Sequence, residues 1–172
     1  MFSPQIRVLI IDDSAIARNT LSRILETDSE IEVVGTAPDA LIGFRKIAEC
    51  SPDVLTLDVE MPKMDGLTFL ERLMSSRPMP VVMVSAYTSE GSETALRALD
   101  LGALEIIEKP SIDVSSGLQE LALQITDKVK AAAQAKLKSP QQRFQKQHLR
   151  NSHTQLALSL IHISEPTRPS QI

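Results

Sequence analysis

The chain has 172 residues, 42% of them hydrophobic, and a formal net charge of −4. That is one ordinary globular domain with room for a tail. A single cysteine, Cys50, excludes an internal disulfide and fits a reducing compartment. Nothing approaches the ~20 apolar residues of a membrane span. The apolar run Val8–Ile11 stops at Asp12 and Asp13, so no signal peptide is read and the expected location is the cytoplasm.

The charge is unevenly spread. Residues 1–113 carry 10 basic and 19 acidic side chains, whereas residues 114–172 carry 8 basic and 3 acidic ones. An acidic folded part argues against direct nucleic-acid binding and suits a site that gathers carboxylates around a cation. Aromatic residues make up only 3% of the chain, so the core must be built from Val, Ile, Leu, Ala and Met.

In chain order, five short apolar runs read as strands: Ile6–Ile11, Ile31–Thr36, Val54–Leu57, Val81–Val84 and Leu104–Ile107. Helical spacing fills the intervals. Ser14 suits the cap of a first helix with Ile16, Leu21, Ile24 and Leu25 on its apolar stripe. Pro38 suits the start of a second, carrying Leu41, Phe44, Ile47 and Ala48. Gly66 opens a third, with Leu67, Leu70, Leu73 and Met74. Thr88 or Ser89 precedes a fourth, with Leu96 and Leu99 inward and Gly102 as its stop. Val114–Ala135 reads as a fifth, with Leu118, Leu121, Ile125 and Val129 on one face. Cys50 reads as a small apolar residue at a helix end, and Met61 and Met64 as loop packing.

Five β-α units in strict alternation predict an α/β fold, a doubly wound parallel sheet with helices on both faces. No Gly-x-Gly-x-x-Gly follows the first strand, so the dinucleotide fold lacks its fingerprint. By analogy with flavodoxin-like folds the strand order is 2-1-3-4-5. The predicted organisation is a domain over residues 1–136 and a Lys-, Gln- and Arg-rich linker over 137–152. A disordered tail follows over 153–172, and its residues 159–168 resemble translated adapter sequence.

Ligands of such sheets bind outside the carboxyl ends of the strands. Asp12 and Asp13 follow the first run, Asp58 the third, Ser85 the fourth and Lys109 the fifth. Each alone reads as an ordinary turn or cap residue, but their joint placement at four strand ends does not. Clustered carboxylates repel one another, and a hard divalent ion such as Mg²⁺ relieves this while leaving room for a phosphate. The set suits aspartyl-phosphate chemistry: a carboxylate attacks phosphorus, Lys109 and the metal offset charge, and the Ser85 hydroxyl bonds a transferring oxygen. His148, His153 and His162 lack metal-ligand spacing.

Val-Leu-Ile-Ile-Asp-Asp-Ser, Leu-Asp-Val-Glu-Met-Pro-Lys-Met-Asp-Gly, Val-Ser-Ala and Glu-Lys-Pro occur in that order. Together they resemble the receiver domain of two-component response regulators, the CheY-like fold, over about residues 5–130. The resemblance implies Asp58 as phosphoacceptor, and Asp12 and Asp13 as metal-binding acids. It adds the backbone carbonyl of Glu60 to the metal site, Ser85 as hydroxyl switch residue, and Lys109 followed by a cis peptide to Pro110. One departure is that Ile106 stands where receivers commonly carry an aromatic switch residue, a role Tyr87 should not inherit.

The Asp-Val-Glu-Met-Pro-Lys-Met-Asp-Gly-Leu-Thr-Phe-Leu stretch and Arg-Ala-Leu-Asp-Leu-Gly-Ala at residues 97–103 are similar to CheB, the chemotaxis protein-glutamate methylesterase family. That similarity implies a CheA-type histidine kinase as phosphodonor, and a methylesterase output domain and chemoreceptors as partners. The chain ends in the linker and has no Gly-x-Ser nucleophile, so esterase activity is not carried over to it. Two other classes compete. An aspartyl phosphohydrolase would usually place an Asp where Glu60 stands, and a DNA-binding receiver would need a helix-turn-helix that the basic tail does not show.

Overall fold

The computed structural model describes residues 3–86, 92–110 and 117–135. Five strands, β1 (Ile6–Ile11), β2 (Ile31–Ala37), β3 (Val54–Asp58), β4 (Val81–Ser85) and β5 (Glu105–Glu108), form one sheet in the order β2-β1-β3-β4-β5. All four pairings are parallel. Five helices alternate with them: α1 (Ala15–Glu26), α2 (Ala40–Cys50), α3 (Gly66–Ser76), α4 (Glu93–Leu101) and α5 (Leu118–Gln134). The fold class and strand order match the sequence reading. No helix among the described residues is long and apolar enough to cross a membrane.

Strand side chains alternate between two cores, as the two-residue period requires. On one face Leu9, Ile11, Leu55, Leu57, Val81 and Met83 pack under α2, α3 and α4, where Ile47, Phe69, Leu70, Leu73 and Ala98 meet them. On the other, Val8, Ile10, Val54, Val82, Val84 and Ile107 pack under α1 and α5 against Leu21, Ile24, Leu25, Ile125 and Val129. The paucity of aromatics concentrates demand on Phe69, which is fully buried and stacks on Phe44 with ring centroids 4.2 Å apart. Thr56, in the middle of β3, is buried with its hydroxyl unpartnered.

The helix ends follow capping chemistry. Ser14 caps α1 by accepting the Ala17 amide, Asp39 caps α2, Asp65 caps α3 and Ser92 caps α4. Gly102 ends α4 at φ 116°, a left-handed conformation that costs glycine little. Cys50 is the last residue of α2 and is a half-buried free thiol.

Several details correct the sequence reading. Ile16, Leu41, Leu96, Leu99 and Leu118, all expected on inward stripes, are exposed large hydrophobics. In α4 it is Ala98 that faces inward, because the 3.6-residue period points Leu96 and Leu99 away from the sheet once Ala98 packs on it. Pro38 precedes the capping Asp39 rather than opening α2. Thr88 and Ser89 lie outside the described residues, as do Tyr87, the region 111–116 before α5, the linker and the three histidines. No cis peptide bond occurs among the described residues, so the expected one between Lys109 and Pro110 is absent.

Phe69→Ala is expected to cost about 3–5 kcal/mol by cavity formation and lost transfer energy. Urea denaturation followed by circular dichroism measures it. A loss below about 1 kcal/mol would contradict the central place given to this ring.

Candidate functional site

The carboxyl ends of the strands meet at one rim. Asp12 directly follows β1, and Asp58 and Ser85 are the last residues of β3 and β4. Lys109 directly follows β5, and its amide donates to the Ser85 carbonyl at 2.8 Å. Parallel pairing in register brings these ends together: Asp58 pairs with Val84, and Ser85 with Glu108.

Asp12 and Asp58 are 2% and 3% exposed, which is unusual for carboxylates and demands compensation. Lys109 supplies part of it. Its Nζ lies 2.9 Å from Asp12 Oδ2 and 3.2 Å from Asp58 Oδ2, bridging the two. The Ser14 amide donates to Asp12 Oδ1 at 2.8 Å, and the Glu60 amide to Asp58 Oδ1 at 3.3 Å. Asp13 is exposed beside them. One carboxylate oxygen from each of Asp12, Asp13 and Asp58 falls within 4.8 Å of the others.

One ammonium does not neutralise three acids. Burial, then the neighbouring Asp12 charge, pushes the Asp58 carboxyl up to about 6, against the opposing pull of Lys109 and the Glu60 amide. Burial works to lower the Lys109 pKa, but its bonds and charge contacts with Asp12 and Asp58 outweigh it and leave the ammonium held above its ordinary value. A buried carboxyl short of positive charge, with three oxygen donors converging, fits a hard divalent cation such as Mg²⁺.

Five of the six predicted site residues, Asp12, Asp13, Asp58, Ser85 and Lys109, thus stand on one rim. Glu60 follows in the β3–α3 loop as an exposed residue, and its backbone amide bonds Asp58. Ser85 is 8% exposed and, with Ile106, Ala95 and Ala98, lines a small cavity of about 10 Å³ between α4 and the sheet.

Two contributors were not assigned a site role from sequence. Gly66 lets α3 close onto the end of β3: its amide donates to the Val59 carbonyl at 2.8 Å, and a Cβ there would stand 2.1 Å from the Asp58 carbonyl oxygen. The Asp65-Gly66 pair carried that signal, but close backbone approach is visible only in three dimensions. The second is Arg18, whose guanidinium binds the Asp12 and Asp13 carbonyls.

Two outcomes follow. Gly66→Ala is expected to cost about 1–3 kcal/mol in urea unfolding, because backbone must shift; an unchanged midpoint would refute the close approach. In metal-free buffer Asp58→Asn is expected to be stabilising at pH 8, by up to about 3 kcal/mol. The Asp58 carboxyl is raised from 3.8 to about 6 in the fold, so its contribution to stability is full below about pH 4 and lost as pH rises through about 6. The gain from Asn should therefore vanish near pH 4, and a gain independent of pH would refute the raised pKa.

Comparison with known proteins identifies the domain's family. The response regulator receiver domain family matches residues 8–121. The protein-glutamate methylesterase/protein-glutamine glutaminase 1 of Geobacter metallireducens is 54% identical over 140 residues, covering 81% of this chain and 39% of that protein. The chain thus spans about two fifths of the length of such relatives. Among solved structures, the response regulator domain of Thermotoga maritima CheB superposes with a TM-score of 0.69 at 37% identity, covering 77% of this chain and 98% of that one. CheY6 of R. sphaeroides, solved in complex with the P1 domain of CheA3, gives 0.62 at 32% identity, covering 75% and 99%. With the 2-1-3-4-5 sheet and its acidic rim, these matches establish that the chain belongs to the response-regulator receiver domains, in their CheB type.

Proposed function

We propose that this domain is a phosphorylation switch of chemotaxis signalling in which Asp58 accepts a phosphoryl group. The observation that carries the reading is the buried Asp12–Lys109–Asp58 bridge beside Asp13, on a receiver of CheB type. Asp12, Asp13 and Asp58, with the Glu60 carbonyl, would hold Mg²⁺. Bound there, the ion supplies positive charge against the transferring phosphoryl oxygens.

An Asp58 carboxylate oxygen forms the new O–P bond while the donor's P–N or P–O bond breaks, and the leaving group takes its electron pair away. Lys109 exchanges its bond to Asp58 Oδ2 for one to a phosphoryl oxygen, retaining its proton. Ser85, at the neighbouring strand end, donates its hydroxyl to another. The added charge biases the face built from β4, α4 and β5. Ile106 stands on that face beside the cavity under Ser85, so the response moves an aliphatic side chain rather than a ring.

The donor is a CheA-type histidine kinase; a CheY relative solved with a CheA P1 domain supports that choice. The receiver spans residues 1–136 and residues 137–152 link it onward, with a tail of 153–172. In the full-length protein it governs a methylesterase domain acting on chemoreceptors, as the names of the relatives suggest. The isolated receiver does not itself hydrolyse esters.

Incubation with acetyl phosphate and Mg²⁺, followed by intact mass measurement, tests this. Wild type should gain one phosphoryl group, chelation of the metal should abolish the gain, and Asp58→Asn should gain none. Equal labelling of Asp58→Asn, or no labelling of wild type, would remove Asp58 from the role.

A further inference from the structure

The acidic turn between β1 and α1 is held from two sides. On the side-chain side, Lys109 binds Asp12 Oδ2 and the Ser14 amide binds Oδ1. On the main-chain side stands Arg18, whose Nη1 donates to the Asp12 carbonyl at 2.8 Å and to the Asp13 carbonyl at 3.2 Å. One guanidinium nitrogen thus ties together the carbonyls of both consecutive acids.

Its position is costly by the usual rules. Arg18 is the fourth residue of α1, at the end where the helix macrodipole disfavours cations, and the first turn of α1 has no acidic residue to balance it. Helical side chains lean toward the N-terminus, so Arg18 reaches back over the turn instead of into solvent, and it is half-buried there. Two charge-assisted bonds to carbonyls offset the placement. The Arg18 amide also donates to the Ser14 carbonyl at 3.0 Å, which fixes the base of the side chain relative to the same turn.

We infer that Arg18 is a positioning residue for the acidic site, clamping the Asp12 and Asp13 carbonyls so that both carboxylates stay aimed at the cation position. The inference rests on the proposed Mg²⁺-dependent phosphoacceptor reading. Its physical content is pre-organisation. Three mutually repelling carboxylates within 4.8 Å tend to splay, and a turn whose main chain is pinned cannot splay by peptide rotation. A pure charge effect would have the opposite sign, since a nearby cation weakens cation binding and its removal would tighten it. Arg18 bonds the carbonyls of the two acids, so it would act on a cation through them, as outer partners of metal ligands do.

The test is an amide-shift titration of ¹⁵N-labelled wild type, Arg18→Met and Arg18→Lys with MgCl₂. Arg18→Met keeps the apolar stem and removes the donors; it is expected to bind Mg²⁺ about 10-fold more weakly. Arg18→Lys keeps the charge and one donor centre, and should fall between the two. With acetyl phosphate, Arg18→Met should need more Mg²⁺ for half-maximal labelling while approaching the wild-type rate at saturating metal. Amide dispersion of the metal-free variant, compared with wild type, separates lost positioning from lost folding. Wild-type or tighter Mg²⁺ affinity in a folded Arg18→Met overturns the inference alone. Failure of wild type to bind Mg²⁺ overturns the phosphoacceptor reading as well.

Discussion

The rest of this structure depends on one constraint: carboxylates held out of water at the end of a parallel sheet must be given positive charge. Asp12 and Asp58 are nearly inaccessible, and among the described residues Lys109 alone bridges them. The compensation is incomplete, as the raised Asp58 carboxyl shows. A fold that sought only stability would replace such a cluster with apolar residues. The unbalanced charge instead suits the rim to a hard cation.

The two-faced core makes that rim rigid. Leu9, Ile11, Leu55 and Leu57 lock β1 and β3 against the α2–α3 side, and Val8, Ile10 and Val54 lock the same strands against α1 and α5. Adjacent residues on one strand are thus anchored in opposite directions, so the strand ends have little freedom to rotate. Gly66 brings α3 against the Asp58 backbone, and Arg18 ties the acidic turn to α1. The β4–α4–β5 side is built differently. There α4 buries only Ala98 and leaves Leu96 and Leu99 exposed, with a small cavity under Ser85 and Ile106. A firmly held acidic rim beside a lightly packed face suits the switch proposed for this domain.

Strand identity was legible because β-branched runs are short and end at charged or turn residues, and the alternation of five such runs with helical spacing left few architectures open. Asp12, Asp13, Asp58, Ser85 and Lys109 were legible for the same reason: they terminate the runs. Helix faces were read less well. A stripe counted from sequence includes every apolar residue at roughly the right spacing, yet Ile16, Leu41, Leu96, Leu99 and Leu118 all stand exposed. Which 100° of a helix meets the sheet is set by how the helix docks, and docking depends on residues distant in sequence, such as the Ala98 contact under α4.

The sequence by itself therefore determined the order of elements, the doubly wound sheet and the acids and lysine at its rim, because period and strand termini are local properties. Tertiary structure decided how those residues act on one another. That Lys109 joins Asp12 to Asp58, 51 residues away from it, follows from the β1-β3-β4-β5 adjacency and not from any local pattern. That Gly66 must lack a side chain, and that Arg18 grips two carbonyls, follows from backbone approaches of a few ångströms. Such distances arise only when the chain has packed, since the hydrophobic faces that draw the elements together carry no information about the polar atoms at their edges.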